Sequence, residues 1–337
     1  MSKITKDTII GILYGGWSDE REISLESGSS VYDSLKDAGY KVFLFDLKNN
    51  KEELSKFISK YSIEIIFNLI HGTGGEDGTI QSWLDDLQVK YVGSNSKSSR
   101  LSFSKTKTKE IWIRSKLKTP DFISHVDLES WILAAISMNN KSKPSDDNSS
   151  FKQETIKKIN NFLESYDRYV LKPDCSGSSV GIKIFNNSNE LSNHCESLSK
   201  DCLDNAISQN FLEKYISGSE YTAPIIGNTV FPIIKIETKR EFYDYQAKYV
   251  DDDTSFTFPS FDSNLQRIIN SKCLKAFKSL GCKGWGRVDF FIDDDNGIYL
   301  IEVNTIPGMT SHSLVPMSAK QKNLSYLDLI LLILNTG

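Results

Sequence analysis

GRVDFFIDDDNGIYLIEVNT, residues 286–305, sets two apolar strand runs on either side of a turn, and each strand carries an acid among its hydrophobic residues. The runs 286–293 and 298–305 flank Asp294-Asp295-Asn296-Gly297, and Asn-Gly is a strong hairpin signal. A two-residue turn at Asn296-Gly297 places Asp289 opposite Asn304 and Phe291 opposite Glu302. A turn shifted by one residue pairs Asp289 with Glu302 instead. Either register leaves Arg287, Asp289, Glu302 and Asn304 on one face, with Val288, Phe290, Ile292, Ile301 and Val303 on the other. Carboxylates side by side in apolar strands repel each other and are costly to bury unless a cation sits between them. Oxygen ligands without His or Cys point to Mg²⁺. The competing reading is a solvated strand face with one Arg–Asp pair, and the metal site is preferred to it.

The flanking segments carry further chemistry. Downstream, Pro307-Gly308-Met309-Thr310-Ser311-His312-Ser313-Leu314 turns into the last helical region. Amides and hydroxyls at a helix start suit a carboxylate, although ordinary capping is common there. Upstream, 241–258 (EFYDYQAKYVDDDTSFTF) is a poor core element and reads as an exposed hairpin or a lid over a site. Earlier still, Lys172-Pro173-Asp174-Cys175-Ser176-Gly177-Ser178-Ser179-Val180-Gly181 ends one strand on a lysine and opens the next through small residues. Such a loop lets backbone N–H groups converge on a phosphate, with the lysine as a point charge. A plain hairpin turn competes with that reading. The loop is not a Walker A motif, which the chain lacks.

The first third has another rhythm. Strand runs at 8–14, 40–47 and 64–70 alternate with helical stretches, one capped by Ser18 or Asp19 and ending at Gly39, the other at 52–61. That alternation predicts a parallel sheet covered by helices. Gly15-Gly16 follows the first strand, but G-x-G-x-x-G is missing, and Trp17, Asp19 and Glu20 stand where a pyrophosphate would approach. Glu20 reads either as complementing the helix dipole or as receiving a substrate ammonium. His71-Gly72-Thr73-Gly74-Gly75-Glu76-Asp77-Gly78 follows the third strand, at the carboxyl edge where open α/β sheets bind ligands. A long helical stretch is expected over 97–116, and 139–150 (NNKSKPSDDNSS) reads as a polar surface insertion. The fold class is therefore α/β followed by α+β. Three domains are expected: 1–96, 97–216, and 217–337 with the lid at 241–258.

Composition narrows the function. With 337 residues, 39% hydrophobic, 25% charged and a net charge of −4, the chain lacks the basic excess of a nucleic-acid binder. Five cysteines (Cys175, Cys195, Cys202, Cys273, Cys282) without C-x-x-C suggest neither a disulfide framework nor a zinc ribbon, which fits a reducing cytosol. The run after Asp7 is expected to be a strand and not a signal peptide, and Leu327 to Leu334 a core helix too short to span a membrane.

Taken in their order along the chain, these segments resemble the D-alanine–D-alanine ligase family of the ATP-grasp superfamily. The resemblance is strongest at 71–79, 172–181, 243–249 and in GCKGWGRVDF…IYLIEVNTIPGMTSHSLVPM. It implies a three-domain ATP-grasp architecture with ATP clamped between the central and C-terminal domains. It further implies ATP and two Mg²⁺ ions (Mn²⁺ able to substitute), two D-alanines as substrates, no nucleic-acid or membrane partner, and a cytoplasmic homodimer serving peptidoglycan synthesis.

Matched residue by residue, Lys105 and Lys172 take the ATP phosphates with Ser179 beside them, and Lys248 takes the γ-phosphate. Glu213, Lys214 and Ile216 match the adenine hinge, and Glu220 the ribose carboxylate. Asp289, Glu302 and Asn304 match the metal ligands. Glu20, supported by Ser178 and Tyr249 and with His71 nearby, matches the anchor of the first D-alanine. Arg287 and Gly308 match the oxyanion pair, and Ser313 and Leu314 the grip on the second D-alanine's carboxylate. Ser176 and Gln246 stand where acids are frequent in the family. The rival functions are a sister ligase that uses D-lactate or D-serine, and a non-catalytic nucleotide-binding module.

Overall fold

A computed structural model of the chain describes residues 3–128, 131, 150–177, 181–197, 209–239 and 254–337. Two compact units emerge, one formed by residues 1–119 with 218–337 and the other by 120–217.

In the first unit, strands β1 (Ile9–Gly15), β2 (Lys41–Leu47), β3 (Ile65–Asn68) and β4 (Lys90–Tyr91) form a wholly parallel sheet in the order β2-β1-β3-β4. Helices α1 (Arg21–Asp37) and α2 (Lys51–Tyr61) connect its first three strands, as the alternating pattern predicts, while α3 (Thr79–Asp86), which the pattern does not include, leads to the two-residue β4. The start of α1 departs from expectation. Its N-cap is Glu20, without a side-chain cap bond, because the Ser18 hydroxyl turns to the His71 carbonyl and to the Glu20 N–H. The other end is as read: Gly39 has φ +80° and donates its N–H to the Lys36 carbonyl.

The expected helix over 97–116 is two helices, α4 (Ser96–Phe103) and α5 (Lys105–Arg114). Ser104 separates them in an extended conformation and accepts the Lys107 N–H on its hydroxyl, so the break is an N-cap inside an otherwise helical run. It places Lys105 at the first position of α5.

The unit 120–217 contains the antiparallel sheet β5-β8-β6-β7, from β5 (Phe122–Ile123), β6 (Tyr169–Pro173), β7 (Lys183–Phe185) and β8 (Asn210–Lys214). Helices α6 (Ser150–Ser165) and α7 (Ser188–Ser197) lie in the same unit. Its core gathers Ile123, Leu128, Ile159, Tyr169, Phe185, Leu191 and Leu212. All of the expected insertion 139–150 except Ser150 lies outside the described residues.

Back in the first unit, β9 (Gly218–Ile226), β10 (Thr229–Val230), β11 (Ile234–Glu237), β12 (Ser255–Thr257), β13 (Trp285–Asp293) and β14 (Ile298–Asn304) build a six-stranded antiparallel sheet. Helix α8 (Ser263–Ser279) packs on it through Ile269, Cys273, Ala276 and Phe277. Of the expected lid, 241–253 lies outside the described residues, while 255–257 is an edge strand paired with β11. Helices α9 (Leu314–Gln321) and α10 (Tyr326–Leu334) close the chain. Leu329, Ile330, Ile333 and Leu334 of α10 join Ile10, Ile12, Val31, Leu35, Phe67 and Trp285 in one core, which fastens the parallel sheet to the C-terminal segments. A Ser325–Asp328 capping box starts α10, a feature worth about 1 kcal/mol. Among the described residues no helix is long and apolar enough to cross a membrane.

Candidate active site

The hairpin β13–β14 takes the second of the two expected registers next to its acids. Asp289 faces Glu302 and Arg287 faces Asn304. The turn itself is not a two-residue one. Asp293 N–H donates to the Gly297 carbonyl, and Asn296 adopts φ +61°, which makes a three-residue loop with a left-handed last residue. The extra residue is absorbed by a bulge after Asp289, beyond which Phe290 pairs with Leu300. The bulge shifts the inward alternation of β14, so Leu300 and Val303 enter the core while Ile301, expected there, is half-buried. The acids still share the face away from that core.

Both acids carry cations of the chain itself. Arg287 donates Nε to Asp289 Oδ1 at 2.9 Å and Nη2 to Oδ2 at 2.8 Å. Thr222 of β9, directly opposite Asp289, donates its hydroxyl to Oδ1 at 2.5 Å. Lys105 Nζ lies 3.4 Å from Glu302 Oε2. Asn304 Oδ1 accepts the Ile306 N–H at 3.0 Å. Glu220 is half-buried on β9, two residues before Thr222 and on the same face of the strand. The oxygen set of Asp289, Glu302 and Asn304 suits a hard divalent cation. It contains two acids and an amide, and among the described residues no cluster of three or more His, Cys, Asp or Glu side chains forms a metal site.

The loops after β1 and β3 meet the segment after β14. Glu20 sits against Gly72: a Cβ built on Gly72 would lie 2.8 Å from Glu20 Oε2, and its φ of +66° already favours glycine. His71 is buried and donates Nδ1–H to the Ile306 carbonyl at 2.8 Å. Burial lowers the His71 pKa, and the Arg287 charge does so too, against Glu20 and the Ile306 carbonyl. The ring is therefore neutral, with its proton on Nδ1. Glu76 accepts the Gly72 N–H at 2.8 Å. Burial pushes its carboxyl up to about 8, and the nearby charges of Glu20 and Glu302 add to the rise.

Gly308 lies beside Ser313, the N-cap of α9; an added Cβ on Gly308 would come within 2.7 Å of the Ser313 hydroxyl. That hydroxyl accepts the Thr310 N–H at 3.0 Å. Leu314 opens α9 and is buried against Ile234 and Ile236.

In the unit 120–217, Lys172 of β6 forms an ion pair with Glu213 of β8; the glutamate side chain is buried and the lysine is partly exposed. Lys214 donates its backbone N–H to the Asp121 carbonyl at 2.9 Å and holds Nζ 4.7 Å from the Tyr166 ring centre. Ile216 is buried. Ser178, Ser179, Lys248 and Tyr249 lie outside the described residues. Three residues near the site in the first unit received no role from the sequence. Glu76 stood in a glycine-rich run already singled out. Thr222 and Ser27 are hydroxyls in regular elements, where nothing in sequence separates them from ordinary surface positions.

Residues 143–335 match the family described as D-ala D-ala ligase C-terminus, and residues 48–94 match the D-ala D-ala ligase N-terminus. The chain is 36% identical over 333 residues to D-alanine–D-alanine ligase B of Chromobacterium violaceum, covering 97% of each. The crystal structure of D-alanine–D-alanine ligase from Bacillus anthracis superposes with a TM-score of 0.75 at 31% identity, covering 98% of this chain and 97% of that one. The same protein complexed with ATP gives 0.74 at 30% identity, with 98% and 96% covered.

Proposed function

The chain belongs to the D-alanine–D-alanine ligase family, and from that premise we propose how its residues carry out the reaction. It is an ATP-dependent ligase that joins two D-alanines. The observation that carries the assignment of roles is the facing pair Asp289 and Glu302, with Arg287 and Lys105 as their counter-cations.

In this reading, a carboxylate oxygen of the first D-alanine attacks the γ-phosphorus of ATP, the bond to the β,γ-bridging oxygen breaks, and ADP leaves. The amine of the second D-alanine adds to the carbonyl carbon of the acyl phosphate. The tetrahedral oxyanion then collapses, expelling phosphate as the nitrogen loses a proton. Glu20 holds the first ammonium, with His71 near it and with Ser178 and Tyr249 assigned there on the resemblance alone. Arg287 and the Gly308 N–H stabilise the oxyanion. Ser313 and Leu314, at the start of α9, receive the second carboxylate. Lys105, Lys172, Ser179 and Lys248 are assigned to the ATP phosphates, Glu213, Lys214 and Ile216 to adenine, and Glu220 to ribose. Asp289, Glu302 and Asn304 would hold two Mg²⁺ ions, whose chemistry is to neutralise the transferring phosphoryl oxygens.

The three-domain division, with the lid at 241–258, belongs to the same proposal, as do a homodimer and a cytoplasmic setting. The purified chain with ATP, Mg²⁺ and D-alanine is expected to release phosphate and D-alanyl-D-alanine in equal amounts. Higher yield with D-lactate or D-serine as the second substrate would reassign the specificity. No phosphate release with any of the three would leave a nucleotide-binding module.

A further inference from the structure

Ser27 lies in the middle of α1 and is fully buried. A serine there usually turns its hydroxyl back to the carbonyl one turn earlier. This one instead reaches a segment 282 residues away: its Oγ accepts the Met309 N–H at 3.1 Å. On its other side, Oγ stands 3.5 Å from His71 Nε2. Because Nδ1 of His71 must donate to the Ile306 carbonyl, Nε2 is the acceptor, and the Ser27 hydroxyl proton has one consistent direction. The chain of donors runs from Met309 N–H to Ser27, from Ser27 O–H to His71, and from His71 N–H to the Ile306 carbonyl. Its two backbone ends straddle Gly308.

We propose that Ser27 is a positioning residue which, with His71, fixes the backbone on both sides of Gly308 so that the Gly308 N–H is aimed at the oxyanion before the substrate arrives. The helix that presents Glu20 at its N-terminus thus also sets the oxyanion donor, two turns further along. Neighbouring contacts fit this role. The Tyr326 hydroxyl donates to the Met309 carbonyl, and the Ser313 hydroxyl accepts the Thr310 N–H. The loop is therefore gripped on both sides of Gly308 and downstream of it, and among the described residues the Ser27–His71 chain is the one that spans the glycine. A donor held in advance stabilises developing charge without reorganisation during the reaction.

The proposal rests on the reading of Gly308 as an oxyanion donor, and the test separates the two. Ser27→Ala and the nearly isosteric, weaker acceptor Ser27→Cys are compared with wild type and with Arg287→Lys. Three quantities are measured: kcat and KM for both substrates, positional isotope exchange in labelled ATP with D-alanine, and hydrogen exchange of the 306–313 peptide. Isotope exchange reports phosphoryl transfer alone. The expected result is a graded fall in kcat, about tenfold for Ser27→Ala and less for Ser27→Cys. The KM for ATP and the isotope exchange stay near wild type, and amide exchange rises over 306–313. If Ser27→Ala does not fold, Ser27→Cys alone must show the same split. Released amides with unchanged kcat overturn the positioning role, as does a parallel fall of kcat and isotope exchange. If Arg287→Lys leaves ligation intact, the oxyanion reading itself fails.

Discussion

Arg287 grips Asp289 with two parallel bonds, Nε to Oδ1 at 2.9 Å and Nη2 to Oδ2 at 2.8 Å, although the two residues stand only two apart on one strand. A fork of this kind fixes the guanidinium plane as well as neutralising the acid. Arg287→Ala should therefore cost more than an activity. It leaves the buried Asp289 carboxylate with the Thr222 hydroxyl but without its cation, a loss of about 3–5 kcal/mol by analogy with broken buried pairs. Arg287→Lys keeps the charge but not the fork. It should fold and lose about 10²–10³ in kcat, the scale of a missing oxyanion donor. Denaturant unfolding of the two variants, set beside their kinetics, checks the split. Equal stability of wild type and Arg287→Ala would contradict it.

Glu302 is the more exposed partner of its pair with Lys105, so the pair itself adds no more than about 1 kcal/mol. Glu302→Gln should shift the melting temperature by no more than about 2–4 °C. Its turnover should fall by about two orders of magnitude or more, because a charge leaves the proposed Mg²⁺ shell. Activity titrated with Mg²⁺ is the measurement. A normal Mg²⁺ dependence in the variant would reduce the facing acids to an ion-pair network.

How far these features could be read in the sequence varied with the kind of signal. Three strands of the parallel sheet were readable because they are runs of apolar residues separated by helices with their own starts and stops, whereas the two-residue β4, Lys90–Tyr91, carries no such run. The faces of the β13–β14 hairpin followed from the period of two. The register of its acids was one of two readings, since Asn296-Gly297 supports more than one loop length. The bulge that moves Leu300 inward and Ile301 out depends on how the whole sheet stacks, which no local pattern carries. The break at Ser104 did have a local signal, a capping serine, hidden inside a helical run. Ser27 and Glu76 could not be reached this way. Their meaning comes from Met309, Ile306 and Gly72, and only the core shared by α1, α10 and the parallel sheet brings the first two near.

Glu20 and Gly72 test the amino-acid pocket from two sides. Glu20→Gln removes a charged hydrogen bond to an ammonium, worth about 1.5–3 kcal/mol, or roughly ten- to hundredfold in the KM for the first D-alanine. Gly72→Ala leaves the carboxylate in place but pushes a methyl group into the space 2.8 Å from Glu20 Oε2, at a φ of +66°. Both variants should weaken D-alanine while the KM for ATP holds within about twofold. A rise in the ATP KM with unchanged D-alanine kinetics would mark Glu20 as a helix-end residue only.

Lys172 pairs with the buried Glu213 within the unit 120–217. Removing the lysine alone strips a buried acid of its cation, whereas removing both charges is closer to neutral. A double-mutant cycle over Lys172→Met and Glu213→Gln should therefore give a coupling of about 1–3 kcal/mol, with the double variant more stable than Lys172→Met. All three variants should bind ATP more weakly. Additive stabilities would mean that the pair is not coupled.

The carboxyl of Glu76 offers a test of the site's electrostatics without any substrate. Burial is the main cause that raises its pKa from 4.5 to about 8, with the charges of Glu20 and Glu302 acting the same way and the N–H groups of Gly72 and Ile306 opposing them. An acid raised on folding holds its proton in the folded chain over a pH range where the unfolded chain has released it. Between about pH 4.5 and 8 the folded state therefore binds more protons, and stability falls as pH rises. Below that window the contribution is fully present, and above it the slope vanishes. Glu76→Gln mimics the protonated acid at every pH and can still accept the Gly72 N–H. Its stability should match wild type near pH 5, exceed it near pH 8, and lack the downward slope between them by about one proton. Urea unfolding at a series of pH values measures that difference directly. Parallel curves for wild type and variant would show that Glu76 is ionised in the folded chain, with the Gly72 and Ile306 amides outweighing its burial.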